Sequence, residues 1–166
     1  ANLPYYITTP ALTALVSSGC FAQITVMVQK EVARRICAKP GTGDYGAFSV
    51  YCQFHGKPSI LLDVPAGCFI PAPKVDSAVV VLTPYAENLL GPVDENLYFR
   101  VVRAAFAQRR KTLFNCLRHG FPQLEREDIL ACLEEAGIGA QARGETLGLG
   151  DFARLTEEVG RRLQKE

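Results

Sequence analysis

The sequence predicts an α/β domain followed by a small all-helical domain, and three observations support this fold class. Helical and strand patterns alternate in the first half and end in two adjacent strands, as in the second half of a doubly wound α/β sheet. Prolines and glycines then form a linker at residues 85–94. Beyond the linker, helical patterns follow without a convincing strand. We therefore expect the α/β domain at residues 1–84 and the helical domain at residues 95–166.

The elements of the α/β domain follow from capping residues and β-branched content. Thr9 suits a helix N-cap and Pro10 the first helical position. Residues 21–28 are nearly free of charge and rich in β-branched side chains, which predicts a buried strand. Residues 29–37 then show a helical pattern that ends before Pro40. The further expected elements are a loop at 41–46, a short helix at 47–54 and strands at 59–64 and 77–82.

The helical domain is expected to contain helices at residues 95–118, 125–136 and 151–163. On one continuous first helix, Arg109 would point back among apolar positions, so we expect its side chain to be partly buried and paired. The same helix would place five basic side chains on one face: Arg100, Arg103, Arg110, Lys111 and Arg118.

The charge of the chain is unevenly distributed. Residues 1–94 carry six basic and six acidic side chains, whereas residues 96–124 carry six basic side chains and no acidic one. The net charge of the whole chain is only +1. A local basic stretch in a nearly neutral chain indicates an anionic partner that binds at one place.

Composition argues against a metal site and a membrane span. The six cysteines lie far apart without a CxxC pair, and the chain has only two histidines, so the spacing predicts no zinc or other metal site. We expect reduced, mostly buried thiols in a cytoplasmic protein. No apolar run approaches the roughly 20 residues that a membrane-spanning helix needs.

The first residues carry the clearest chemical signal. Asn2 offers a side-chain carbonyl, the Leu3–Pro4 step holds the backbone extended with its carbonyl exposed, and Tyr5 adds a flat ring. An aromatic face with two acceptors suits an extruded adenine, whose exocyclic amino group has two hydrogens to donate. Taken alone, the same residues also fit a strand end followed by a turn.

Two further segments place this motif in a family context. The stretch FIPAPKVDSAVV at residues 69–80 is similar to FxPxPKVDSAVV, and AFAQRRKTLFN at residues 105–115 is similar to FxQRRKTLxN. Both patterns, together with NLPY at the end of the fourth sheet strand, occur in rRNA adenine N6,N6-dimethyltransferases. The chain therefore resembles that family over essentially its whole length, which implies a Rossmann-like methyltransferase sheet that uses S-adenosyl-L-methionine.

The resemblance implies a role for each pocket residue. Asn2 would accept a hydrogen bond from the target amino group and lie close to the methyl donor, and the Leu3 or Pro4 carbonyl would accept the second hydrogen. Tyr5 would stack on the adenine and Phe69 would help to close the pocket. The product would be dimethyladenosine in small-subunit (16S) rRNA, formed during ribosome biogenesis. The RNA-binding residues that we expect are Lys74, Arg103, Arg109, Arg110 and Lys111, of which Lys74 is the weaker candidate.

The chain also departs from the family pattern. The glycine-rich loop and the acidic residue that hold the methyl donor should precede Asn2, and Gly41-Thr42-Gly43 reads instead as a hinge after a helix. The resemblance implies that roughly the first two-fifths of the enzyme, with the main donor-binding segment, is missing. We therefore expect this chain alone to bind the donor weakly or not at all and to be inactive. We also expect an exposed sheet edge that allows non-native association.

Two alternative functions stay open from the sequence. Resistance-type large-subunit rRNA adenine methylases share the NLPY motif and the aromatic–proline loop, although QRRKTL favours the small-subunit branch. DNA adenine methyltransferases fit less well, because they carry a (D/N)PP(Y/F) variant. A non-catalytic RNA-binding or ribosome-assembly module is the alternative from a different class. An upstream GxGxG after a strand would favour the enzyme over that module.

Overall fold

The computed structural model describes residues 1–164, so Lys165 and Glu166 of the predicted helical domain lie outside the described residues. The described chain forms two compact units. The first combines Ala1–Ala38 with Tyr51–Leu89, and the second combines Lys39–Val50 with the residues from Leu90 onward. The boundary after Leu89 falls inside the predicted linker.

The segment Lys39–Val50, a loop followed by the start of a helix, belongs to the second unit, although the sequence analysis placed it in the first domain. Its hydrogen bonds give the physical reason. The backbone N–H of Gly41 donates to the Glu145 carbonyl at 2.7 Å, and the Tyr45 hydroxyl donates to the Leu147 carbonyl at 2.9 Å. Such tertiary bonds over about a hundred residues leave no local sequence signal.

Three strands form the sheet of the first unit. They are β1 (Ile24–Gln29), β2 (Gly56–Val64) and β3 (Ser77–Pro84), in the order β1-β3-β2. The central strand β3 runs antiparallel to both neighbours, so β1 and β2 run in the same direction. The register pairs Ser77 with Gln29 on one side and with Val64 on the other.

A short parallel contact extends this sheet beside β1. Asn2 forms an isolated parallel bridge with Met27. Leu3 donates its N–H to the Met27 carbonyl at 3.2 Å, and Met27 donates to the Ala1 carbonyl at 2.8 Å. The parallel character of the predicted doubly wound sheet is thus present at this edge.

Two predictions about the first elements were wrong in detail. β1 begins at Ile24 and not at residue 21, and it alternates buried and more exposed positions, so only one face is fully buried. The first helix, α1 (Thr8–Ser17), has no side-chain cap from Thr9. A 3₁₀ turn at Tyr5–Ile7 leads into it instead.

The other helices of the first half agree with the sequence pattern. These are α2 (Lys30–Ile36) and α3 (Ala47–His55). β2 is the outer strand, and its bulge at Leu61 accompanies a row of exposed apolar side chains. The core of this unit lies under the buried face of the sheet and includes Leu12, Val26, Val28, Ile36 and Val80.

The second unit contains four helices in its described part beyond residue 90: α4 (Glu95–Phe106), α5 (Leu113–Gly120), α6 (Arg126–Glu135) and α7 (Leu149–Leu163). α4 packs on α5 and α7, and α6 packs on α5 and α7. Their shared core includes the fully buried side chains of Tyr98, Leu117, Phe121, Ile129 and Phe152.

The predicted single helix at residues 95–118 is wrong. The helix breaks after Phe106, and a turn in which Lys111 donates its N–H to the Gln108 carbonyl separates α4 from α5. Thr112 caps α5, because its hydroxyl oxygen accepts the backbone N–H of Asn115 at 3.5 Å, as well as the Asn115 side-chain N–H at 2.9 Å. This capping threonine is the local reason for the new helix start.

The cysteines of the described residues differ in burial. All six cysteines are free; Cys52, Cys116 and Cys132 are buried, whereas Cys20 and Cys68 are exposed. Burial raises the pKa of the Cys52 thiol to about 12, so it is protonated at neutral pH.

Within residues 1–164 no cluster of histidine, cysteine or carboxylate side chains could hold a metal ion. No helix in that range is long and apolar enough to span a bilayer.

Gly144 provides a test of the packing in the helical unit. It is buried against α4, where an added Cβ would lie 2.7 Å from the Ala105 carbonyl oxygen. We expect Gly144→Ala to lower the free energy of unfolding by about 1–3 kcal/mol, because the backbone must shift to relieve the overlap. Urea unfolding monitored by circular dichroism measures this change.

The matched control is Gly139→Ala, because a Cβ at Gly139 meets no atom within 4 Å. Equal unfolding midpoints for the two variants would contradict the close packing of Gly144 on α4.

Candidate functional site

A cleft of about 250 Å³ lies in the first unit, and two distant segments form its walls. Pockets for drug-sized ligands occupy about 300–1,000 Å³, so this volume suits a smaller flat group. The cleft unites all five predicted pocket residues with two prolines of the aromatic–proline loop. The lining residues are Asn2, Leu3, Pro4, Tyr5, Phe69, Pro71 and Pro73.

Backbone bonds fix the first wall of the cleft. Leu3 is buried and bonded to β1, so the chain leaves the sheet edge in a defined direction. Pro4 is extended, with φ −56° and ψ 135°, and the chain then turns at once. The Pro4 carbonyl closes this turn, since it accepts the Ile7 N–H at 3.1 Å and the Thr8 hydroxyl at 3.3 Å.

The Tyr5 hydroxyl joins the two segments. It forms a 2.8 Å hydrogen bond with the hydroxyl of Ser77, the first residue of β3. Ser77 is fully buried, and its place in the sheet is set by pairing on both sides. The half-buried Tyr5 ring is therefore tied at its far end to the centre of the sheet.

Asp76 closes the loop that forms the second wall. Its carboxylate accepts the Ala66 N–H at 2.9 Å, so the two ends of the loop are joined. Its backbone carbonyl accepts the Lys30 N–H at 3.0 Å, which fixes the loop to the start of α2. Phe69, on the wall of the cleft, is half-buried and extended, with φ −117° and ψ 149°.

The lining of the cleft is uncharged. Its polar side chains are the Asn2 amide and the Tyr5 hydroxyl, and its other side chains are apolar or aromatic. Asn2 itself is exposed, so its amide is accessible from solvent. Such a lining can stack on a flat neutral ring and accept hydrogen bonds from its edge. It contains no carboxylate or histidine that would act as a strong base.

The predicted RNA-binding residues fall in both units. Lys74 is exposed on the loop of the first unit. In the second unit, Arg103 lies exposed in the last turn of α4, and Arg110 and Lys111 are exposed in the break before α5. Because the helix is interrupted there, the predicted arrangement of these cations on one continuous helix face is wrong.

Arg109 also differs from its prediction. Its side chain is exposed rather than partly buried. It is paired, but with a backbone group: the guanidinium donates to the Gly43 carbonyl at 2.8 Å. Arg109 therefore holds the 41–46 loop within the second unit, which leaves it less available to an external phosphate.

The structure also reveals site features that the sequence analysis missed. Ser77 and Asp76 lie inside the recognised motif, but their anchoring roles depend on partners far away in sequence. Arg126 lies beside Arg118, one of the predicted basic side chains. Both guanidinium groups lie over the Phe114 ring, Arg126 at 5.5 Å and Arg118 at 5.8 Å from its centroid. Arg126 is the first residue of α6 and lies beyond the basic stretch at residues 96–124, so the charge count did not include it.

Comparisons with known proteins show which family the chain resembles. A family model described as ribosomal RNA adenine dimethylase matches residues 1–159. A protein named ribosomal RNA small subunit methyltransferase A from Caldanaerobacter subterraneus is 48% identical over 96% of this chain and 59% of its own length. Its namesake from Clostridium acetobutylicum is 44% identical over 97% of this chain and 58% of its own length. The chain thus spans less than two thirds of each relative.

Solved structures show the same similarity. A dimethyladenosine transferase from Plasmodium falciparum aligns with a TM-score of 0.81 at 26% identity, covering 98% of this chain and 66% of that protein. The 23S rRNA methyltransferase ErmE aligns with a TM-score of 0.68 at 26% identity, covering 96% of this chain and 63% of that protein. These neighbours confirm the predicted fold class, a Rossmann-like α/β part followed by helices.

The anchoring role of Asp76 can be measured directly. We expect Asp76→Ala to speed hydrogen exchange at the Ala66 amide about tenfold or more, because that N–H loses a charged acceptor. Nuclear magnetic resonance exchange rates report this change. Asp63→Ala is the control, since it removes only an exposed ion pair with Lys30. An unchanged rate at Ala66 in the Asp76 variant would show that the carboxylate does not hold the loop.

Proposed function

This chain belongs to the ribosomal RNA adenine dimethylase family, and from that premise we propose that its cleft receives an adenine of small-subunit (16S) rRNA. The cleft presents the exocyclic amino group of that base for dimethylation during ribosome biogenesis. The observation that carries the proposal is the meeting of Asn2, Tyr5 and Phe69 at one uncharged cleft. The activity is that of the longer protein, of which this chain supplies the substrate side.

The hydrogen-bond pattern of the cleft indicates how the amino group is held. The Asn2 side-chain carbonyl accepts one amino hydrogen. The Pro4 carbonyl already accepts two bonds within the chain, from Ile7 and Thr8, so the Leu3 carbonyl is the better acceptor for the second hydrogen. Two acceptors in these positions leave the nitrogen lone pair directed away from the ring plane, as attack on a methyl carbon requires.

Tyr5 and Phe69 hold the base by stacking. Base–aromatic stacking contributes about 1–3 kcal/mol per base, which is comparable to the few kcal/mol needed to extrude a nucleotide. The Tyr5 ring is already oriented by its bond to Ser77, so its side chain loses little conformational freedom when the base binds.

S-adenosylmethionine, when bound, supplies an electrophilic methyl group on a sulfonium. Among the described residues, the glycine-rich stretch Gly41–Gly43 does not fit a donor site, because it lies in the helical unit with its Gly43 carbonyl bonded to Arg109. We therefore assign to this chain only Asn2 as a donor-facing residue. From the family pattern we infer that the main donor-binding segment is not among these residues and that the chain alone is inactive.

Arg103, Arg110 and Lys111 are proposed to bind rRNA phosphates. All three are exposed and close in sequence, with no acidic residue between residues 96 and 124. Arg109 has a smaller share in this contact than the sequence analysis gave it, because its guanidinium is bonded to Gly43. Lys74 adds a cation on the loop that forms the cleft wall.

Large-subunit rRNA is the alternative substrate that a specific observation favours. The ErmE protein, a 23S rRNA methyltransferase, shares the fold at a TM-score of 0.68. The two most similar relatives described above carry the small-subunit name and share 44–48% of their residues with this chain. This higher similarity favours small-subunit rRNA.

A chimeric enzyme tests the role of Asn2. We expect that the amino-terminal part of the Caldanaerobacter relative, joined ahead of Ala1, gives a protein that dimethylates adenine in small-subunit rRNA. Asn2→Ala should lower the methylation rate about 100-fold or more, because one oriented acceptor is lost. Mass spectrometry of the digested RNA measures the product, and Asn96→Ala, at an exposed position of α4, serves as a surface amide control. A rate within a few-fold of the parent chimera would overturn the assignment.

Salt dependence tests the phosphate contacts in this chain itself. We expect Lys111→Ala to weaken binding of a small-subunit rRNA hairpin and to reduce the slope of log K against log salt by about 1. Arg34→Ala, an exposed cation in α2, should leave that slope unchanged. Fluorescence anisotropy at several salt concentrations gives both values. Equal slopes for the two variants would place the RNA elsewhere.

A further inference from the structure

Two large apolar side chains beside the cleft are exposed to an unusual degree. Tyr6 is 87% exposed and Ile70 is 102% exposed, more than any other large apolar side chain in the described residues. Neither lines the cleft, but each directly follows an aromatic residue that does, Tyr5 in one case and Phe69 in the other. Among the described residues, the most exposed large apolar side chains are therefore sequence neighbours of the aromatic residues that line the cleft.

The backbone holds both side chains outward. Tyr6 is the middle residue of the 3₁₀ turn that the Pro4 carbonyl closes, and successive side chains of such a turn point about 120° apart. Ile70 follows the extended Phe69, and neighbouring side chains of an extended segment point to opposite sides. Tyr6 and Ile70 thus lie outside the cleft lining, next in sequence to Tyr5 and Phe69, and stay exposed to solvent.

An extruded base creates a need that such a rim meets. Removing one base from a stack exposes the faces of its two neighbours and leaves a gap in the strand. Aromatic side chains stack on exposed bases, and isoleucine is among the apolar residues that insert between base steps. The exposure of Tyr6 and Ile70 in the free protein is consistent with apolar groups that become covered only by nucleic acid.

We propose that Tyr6 and Ile70 form an apolar rim that contacts the nucleotides flanking the target adenine. Tyr6 stacks on one neighbouring base, and Ile70 fills the gap that the extruded adenine leaves. Both are positioning residues: they hold the strand open while the cleft holds the base. This inference rests on the proposed function, because it takes the occupant of the cleft to be an extruded adenine.

A coupling experiment with the chain and an rRNA hairpin tests this inference. Each unpaired nucleotide of a small-subunit rRNA hairpin is replaced in turn by an abasic nucleotide, and affinity is measured for the parent chain, Tyr5→Ala, Tyr6→Ala and Ile70→Ser. We expect Tyr6→Ala and Ile70→Ser each to weaken binding about fivefold or more. Their salt slopes and thermal midpoints should be unchanged, because both side chains are exposed and uncharged.

The decisive result is the position of the coupling. Removal of one adenine should cost affinity in the parent chain but not in Tyr5→Ala, and removal of an adjacent base should cost affinity in the parent but not in Tyr6→Ala. Ile70→Ser should show coupling to the nucleotides next to the same adenine. Leu89→Ser, exposed and sixteen residues beyond Pro73 in sequence, is the control and should show none.

Failure of the rim proposal and failure of the proposed function give different results in this experiment. If Tyr5 couples to one adenine while Tyr6 and Ile70 couple to no neighbour, or if their effects simply add to every abasic replacement, the rim is wrong and the cleft assignment survives. If Tyr5 couples to no adenine, or the parent chain does not bind the hairpin, the proposed function fails and the rim fails with it.

Discussion

The pairing of β3 between β1 and β2 is the constraint on which the candidate site depends. Its register sets Ser77 beside Gln29 and Val64, at the end of the sheet where the chain also enters and leaves the aromatic–proline loop. From there the Ser77 hydroxyl reaches Tyr5, 72 residues earlier in the chain. A slip of one residue would move Ser77 to the other face of the sheet and detach the two walls of the cleft.

The cleft and the exposed cations proposed to bind phosphate depend on different interactions. The cleft is held by backbone pairing and by bonds from buried or loop-closing groups, so its geometry exists before a ligand binds. Of the exposed cations, Arg103 lies in the last turn of α4, and Arg110 and Lys111 lie on the turn between α4 and α5. Electrostatic contact there requires little shape complementarity. This division suits a protein that reads one base closely and the surrounding nucleic acid mainly by charge.

Sequence reasoning identified the residues that line the cleft more reliably than the contacts that hold them. Asn2, Tyr5 and Phe69 were found because their chemical types carry a recognisable motif, and the structure brings them together. The bond from Tyr5 to Ser77, the bond from Arg109 to Gly43 and the attachment of the 41–46 loop to the helical unit were not predicted. Each joins segments more than sixty residues apart, and pattern analysis detects only local periodicity. The break at residues 107–112 was missed for another reason. Most of its residues are good helix formers, but the Thr112 hydroxyl caps the Asn115 backbone N–H and starts a new helix there.

A crystal structure of this chain bound to a small-subunit rRNA hairpin tests most directly whether the cleft holds an extruded adenine. We expect one adenine outside the RNA stack and between Tyr5 and Phe69, with its amino group within hydrogen-bonding distance of the Asn2 side chain and the Leu3 carbonyl. A complex in which every base stays stacked and the cleft holds no nucleotide would contradict it.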